Sequence, residues 1–144
     1  MKVVRIVAIV FGVYVVLGMS IDAAIGYFQP QSEATLVLRT YGAAGDSKDT
    51  VLSSRDDNGQ LWVESGHWFR GWYYRVLENP NVEVIRGESV QPYRAVPVNT
   101  DEAVELMTRL MGKGQGAGYW VGRAMLLFAP IKPVRLEPRM EIAE

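Results

Sequence analysis

Between Ile6 and Met19 the chain carries no charged residue, and its apolar character continues past Ser20 and Asp22 to Tyr27 and Phe28. From Ile6 to Phe28 there are 23 residues and one charge, Asp22. As a helix rising ~1.5 Å per residue this stretch covers roughly 34 Å, enough for a bilayer core of about 30 Å. Val and Ile dominate it, and lipid favours the helix because only there are all backbone groups satisfied. Tyr27 and Phe28 fall near the far interface, where aromatic rings settle. No polar face is visible, which argues against a buried helix of a soluble core. The run is longer than a typical signal core, and its small-x-small site, Ala24-Ile-Gly26, is weak. The expectation is an uncleaved membrane anchor over residues 1–28, with a cleaved signal segment as the alternative. Lys2 and Arg5 then place the N-terminus in the cytoplasm and the remainder on the other, non-cytoplasmic side. Asp22 reads as a helix-end residue at the polar boundary.

After a polar linker, residues 29–33, the pattern changes to short alternating segments. Strands are predicted over 34–41, 50–55, 60–65, 81–86, 90–98 and 131–137. Asp56-Asp57-Asn58-Gly59 is a tight-turn signal, since Asn-Gly tolerates positive φ. Pro92 and Pro97 mark their strand as an edge or interrupted one. A helix is predicted over 68–78, ending at Asn79-Pro80. A second covers 100–111, capped by Asn99 or Thr100, with Val104, Met107, Leu110 and Met111 as its apolar stripe. A third, shorter one covers 119–128. Gly112–Gly118 reads as a connector or mobile lid, not a phosphate loop, because no strand precedes it and the GKS or GKT ending is missing. Strands arrive as hairpins and not as β-α-β units. The fold class is therefore α+β: a small antiparallel barrel of about six strands with two or three helices, over residues 34–144, preceded by the transmembrane helix.

Composition narrows the chemistry. The chain has 144 residues, no cysteine and one histidine, His67. That excludes disulfides, thiolate metal sites, Fe–S clusters and any site needing two histidines. A net charge of −1 gives no reason to expect nucleic acid. Six aromatic residues crowd between Trp62 and Tyr74. Helical spacing puts Trp68, Trp72, Arg75 and Val76 on one face, and Phe69, Tyr73 and Leu77 on the next. One face must pack on the sheet; Phe69 and Leu77 are the first choices for core. Ser65-Gly66-His67 leads from a strand into this helix. Gly66 permits close approach of a ligand and His67 offers a proton donor or a ligand contact. No Ser-His-carboxylate set is legible, and no catalytic residue is assigned.

Leu36-Val-Leu-Arg-Thr40, Thr50-Val-Leu52, Asp57-Asn-Gly59, Leu61-Trp-Val-Glu-Ser65, Gly71-Trp-Tyr-Tyr-Arg75 and Leu77-Glu-Asn-Pro-Asn-Val-Glu-Val84 follow one another in an order and spacing that resembles the deazaflavin (F420)-dependent nitroreductase family. Lys132-Pro-Val-Arg-Leu-Glu-Pro138 is similar to that family's closing strand. The resemblance covers about residues 34–138. It implies a split β-barrel like that of the flavin-binding pyridoxamine phosphate oxidases, a flat tricyclic cofactor, and hydride transfer to a quinone or nitro acceptor. Matching cofactor positions are Thr50, Ser65, Gly66, Trp72 and Tyr73, with the His67 amide beside them. Trp72 and Tyr73 would wall the ring system. The family's basic Arg-Lys-Ser-Gly-x-x-Arg turn, which holds the cofactor's phosphate tail, is replaced here by Tyr41-Gly-Ala-Ala-Gly-Asp-Ser-Lys-Asp49. Lys48 is the lone cation between Asp46 and Asp49. F420 and FMN are both candidate cofactors. The resulting expectation is a membrane-anchored oxidoreductase whose partners are membrane lipid and a hydrophobic small-molecule acceptor. The alternative is a non-catalytic small-ligand-binding barrel or a membrane-associated interaction protein.

Overall fold

A computed structural model describes residues 2–28, 32, 34–68, 70–112 and 116–139. Ten elements follow in order: α1 (Lys2–Phe28), β1 (Thr35–Tyr41), β2 (Ser47–Asp57), β3 (Gln60–Ser65), α2 (Gly71–Glu78), β4 (Asn81–Arg86), β5 (Ser89–Pro97), α3 (Asp101–Gly112), α4 (Gly116–Met125) and β6 (Lys132–Pro138). The six strands close into an antiparallel barrel in the order β1-β2-β3-β6-β5-β4. This is the α+β barrel expected. Of the predicted linker, only Ser32 lies within the described residues, and its carbonyl accepts a hydrogen bond from the Thr35 amide.

Alternation builds the core. Leu36 and Leu38 on β1, Leu52 on β2, Leu61 and Val63 on β3, Val82 and Val84 on β4, and Val134 and Leu136 on β6 all point inward. The outer face carries charge in register: Arg39 lies opposite Asp49 on one side and Glu83 on the other, at 2.8 and 3.3 Å. The predicted hairpin turn forms, with Asn58 and Gly59 at φ 53° and 77°.

Closure corrects one expectation. β5 is not an edge strand, because it pairs with both β4 and β6. Its prolines sit where one neighbour is missing. Pro92 lies before the β6 pairing begins at Tyr93, and Pro97 lies beyond the β4 pairing, which ends at Arg94. Neither proline removes a hydrogen bond from a doubly paired position.

The registers put the C-terminal end of β3 and the N-terminal ends of β4 and β6 at one mouth of the barrel. α2 plugs that mouth. It starts at Gly71, three residues later than Trp68, where the periodicity placed it. Arg70 is drawn into a buried position near Asp22 and Glu64, and its non-helical backbone (φ −98°, ψ 81°) keeps the preceding turn out of the helix. Trp68 is therefore off the helix and exposed, and Leu77, expected in the core, is exposed as well. Phe69 lies outside the described residues.

α1 contains a stretch, Lys2–Ala24, long and apolar enough to cross a membrane by length and composition, as either an anchor or a signal sequence would be. Its second half is not free. The Tyr14 hydroxyl donates to the Ala124 carbonyl at the end of α4. Gly18 lies so close to the turn after α4 that a Cβ there would meet Leu127 Cγ and the Met125 carbonyl at 2.9 Å. The glycine segment expected as a loop is partly helical, since α4 begins at Gly116; residues 113–115 lie outside the described residues.

Candidate functional site

The aromatic helix supplies core. Trp72 is 2% exposed and Tyr73 4%, both within the barrel's apolar cluster, and Val76 joins them one turn on. The two rings meet edge to face, with centroids 6.0 Å apart. The Tyr73 hydroxyl donates to Asn99 Oδ1 at 3.3 Å, and Lys132 Nζ lies 4.8 Å from its ring centroid. Neither ring is open to solvent: both belong to the apolar cluster of the barrel, with Lys132 over the Tyr73 ring.

The turn from β1 to β2 is occupied by its own ion pairs. Arg75 of α2 donates to Asp46 Oδ2 at 2.8 Å, to the Asp46 carbonyl at 2.6 Å and to Thr40 Oγ1 at 3.2 Å. Asp49 takes two hydrogen bonds from Arg39, which hold its carboxyl below the usual carboxylate range. Lys48 is exposed and pairs in register with Thr40; Thr50 pairs with Leu38. These two predicted contacts lie on β2, on the Arg75 side of the barrel mouth.

Ser65, Gly66 and His67 lie at the end of β3. Ser65 is buried opposite Lys132 of β6. Two adjoining cavities of about 160 and 190 Å³ flank this segment and share Glu64, Gly66, His67 and Met111. The first adds Leu52, Ser53 and Arg70; the second reaches Tyr119, Gly122 and Arg123 of α4. Among the described residues, Glu64 Oε2 and Arg70 Nε are buried without a hydrogen-bond partner. A buried polar atom without a partner costs about 1–3 kcal/mol, so the cleft carries unspent binding capacity.

Electrostatics here follow burial. The Glu64 carboxyl is pushed up by desolvation, against the pull of Arg123, Arg55 and Arg70. The His67 imidazole is pushed down by desolvation and by Arg70, while Asp22 pulls it back up. Burial also lowers the Arg70 guanidinium, opposed by Asp22 and Glu64. His67 Nδ1 contacts the carboxylate of Asp22, which is itself buried. Asp22 is therefore not a residue of the open polar boundary.

Of the predicted residues, Gly66 and His67 line the cleft and Ser65 is buried beside it, while Glu64, Arg70 and Asp22 were not among those predicted. Glu64 sits at an outward strand position and Arg70 in a loop, places where charges ordinarily signal solvent. Among the described residues no group of three or more His, Asp or Glu side chains is placed to hold a metal ion.

A family model described as F420H(2)-dependent quinone reductase matches residues 14–124, more than half of the chain. Among solved structures, an F420-H2 dependent reductase superposes with a TM-score of 0.55 at 21% identity, over 73% of this chain and 95% of that one. HutZ, a heme storage protein from Vibrio cholerae, superposes with 0.53 at 18% identity, over 77% and 85%. A putative pyridoxamine 5'-phosphate oxidase from Listeria innocua gives 0.55 at 15%, over 75% and 86%. At these identities the solved structures show a shared split-barrel fold. No curated protein matches the chain in sequence.

Proposed function

The chain belongs to the F420H(2)-dependent quinone reductase family, and from that premise we propose a membrane-tethered oxidoreductase that uses reduced deazaflavin to reduce a quinone dissolved in the bilayer. The observation that carries this reading is the cleft beside Gly66, with its two unpartnered buried polar atoms, Glu64 Oε2 and Arg70 Nε.

That donor set fits the polar edge of a planar ring. Arg70 Nε–H is a donor without a partner there, and Gly66 and His67 line the same cleft, while Ser65, one residue on from outward Glu64, is buried toward the barrel interior. Gly66 leaves room that a side chain would take: a Cβ there would stand 3.2 Å from Glu64 Oε1. When bound, a reduced deazaflavin supplies a hydride, while the protein orients it and excludes water. Burial raises the Glu64 carboxyl toward the protonated form, against Arg123, Arg55 and Arg70. Neutral His67 donates from Nδ1 to Asp22, which fixes its ring. Tethering through α1 raises the local concentration of a lipid-dissolved acceptor.

The test uses the full chain in detergent. Reduced F420 is titrated in, a short-chain quinone is added, and the return of the oxidised deazaflavin spectrum is followed. Saturable binding with quinone-dependent oxidation supports the reading; no binding at micromolar cofactor overturns it. A non-catalytic ligand-binding barrel is the second reading. It is favoured by the ion pairs Arg75–Asp46 and Arg39–Asp49, which engage the cations nearest the β1–β2 turn and leave Lys48.

A further inference from the structure

Among the described residues, none of α4 is buried, unlike α2 and α3. Trp120 is 61% exposed, and Val121, Met125 and Phe128 are close behind. At 100° per residue Trp120, Val121 and Met125 spread over ~140° of the helix surface, and its single charge, Arg123, lies beside Trp120 and away from Val121 and Met125, half-buried toward Glu64. This apolar side is continuous with α1, which meets α4 through Tyr14 and Gly18.

We propose that α4 and the turn through Phe128 are embedded in the lipid bilayer beside α1, as a second, interfacial membrane contact that fixes how the barrel mouth faces the membrane. The inference rests on reading α1 as an anchor, and depth along α1 supports it. The soluble domain grips Asp22 through His67. Gly18 lies four residues from Asp22 and Tyr14 eight, which is ~6 and ~12 Å along the axis. α4 and its following turn meet α1 at those levels, so an α1 that crosses the membrane carries them below the polar boundary. Interfacial helices bury their apolar faces by about 5–10 Å. The exposed large apolar side chains of α1 reach Met19, so they extend to the level at which Gly18 meets the turn after α4.

The chain has no cysteine, so single labels are simple to place. Full-length Val121→Cys, Phe128→Cys, Val10→Cys and Glu88→Cys variants carry a nitroxide in phosphatidylcholine vesicles. Collision with oxygen, which concentrates in hydrocarbon, is compared with collision with a water-soluble nickel complex. Glu88 lies in the β4–β5 turn at the opposite end of the barrel and reports water. The expected result is an oxygen-to-nickel ratio at 121 and 128 on the lipid side of that at 88 and below that of the deeper position 10. Ratios at 121 and 128 that match 88, while 10 reports lipid, overturn the proposal and leave the anchor intact. Labels at 121 and 128 reached by neither reagent also overturn it, in favour of a second copy of the chain on this face. A water-exposed label at position 10 overturns the anchor reading and the proposal with it.

Discussion

His67 Nδ1 is in contact with the Asp22 carboxylate across 45 residues of sequence, and this pair joins the apolar N-terminal helix to the mouth of the barrel. Both side chains are largely withdrawn from solvent. Burial and Arg70 hold the imidazole neutral more firmly than Asp22 draws it toward the cation.

His67 is the only histidine, so one ring signal in an NMR titration reports it without assignment. Its midpoint is expected below the ordinary value of about 6.5, and lower again in Asp22→Asn, because Asp22 is the group that raises it. The linkage sign follows. The unfolded chain protonates first, so the stability due to neutral His67 is present above pH about 6.5 and is lost as pH falls toward the depressed folded value. Melting in detergent is expected to decline over that window in the natural chain and to flatten in His67→Gln. A midpoint above 6.5 would contradict the burial argument.

The close approach of α1 to the turn after α4 depends on Gly18. An added methyl would collide with Leu127 Cγ and with a backbone carbonyl that cannot turn away, both at 2.9 Å. Gly18→Ala is expected to cost about 1–3 kcal/mol and to loosen α1 from the barrel. Gly12→Ala meets nothing within 4 Å and is expected to leave stability unchanged or slightly raised. Protease susceptibility near Gly18 in detergent separates the two.

β1 and β4 were legible in the sequence because each buries alternate residues: Leu36 and Leu38 alternate as in a half-buried strand, whereas β5 buries only Ala95 and was read from its composition. Asn58-Gly59 fixed one turn through its backbone alone. The start of α2 was not legible. The aromatic spacing from Trp68 continues a helical period, and it is the burial of Arg70, a tertiary event, that delays the helix to Gly71. Gly66 and His67 of the candidate cleft were visible for a local reason. Ser65, Gly66 and His67 lie at a strand end that local pattern reveals. Asp22 joins them only once an apolar helix far away in sequence packs against the loop.

Trp72 belongs to the core, and its substitution should show it. Trp72→Ala leaves a large cavity inside the barrel and is expected to cost about 3–5 kcal/mol, enough to threaten folding. Trp72→Phe keeps most of the volume and removes Nε1, which has no hydrogen-bond partner among the described residues. It is expected to cost far less and to retain any ligand binding. Circular dichroism melts of the two variants check the contrast. An alanine variant with an unchanged melt but lost cofactor binding would return Trp72 to the ligand site.

The last expectation concerns the tail of the cofactor. A phosphate group is held best by charge-assisted hydrogen bonds from several cations. Around the β1–β2 turn, Arg75 is committed to Asp46 and Thr40, and Arg39 to Asp49 and Glu83. Only Lys48 of that turn's side chains offers a cation to solvent, and one exposed ion pair contributes about 0–1 kcal/mol. F420 and the same deazaflavin ring without its phosphate tail should therefore bind with affinities within about tenfold of each other. Lys48→Ala should change the ratio little, and raising the salt concentration should weaken F420 only slightly. Calorimetric titration of the full chain in detergent with both compounds measures this directly. Tight binding of F420 alone, abolished in Lys48→Ala, would mean that the turn opens its ion pairs to receive the tail.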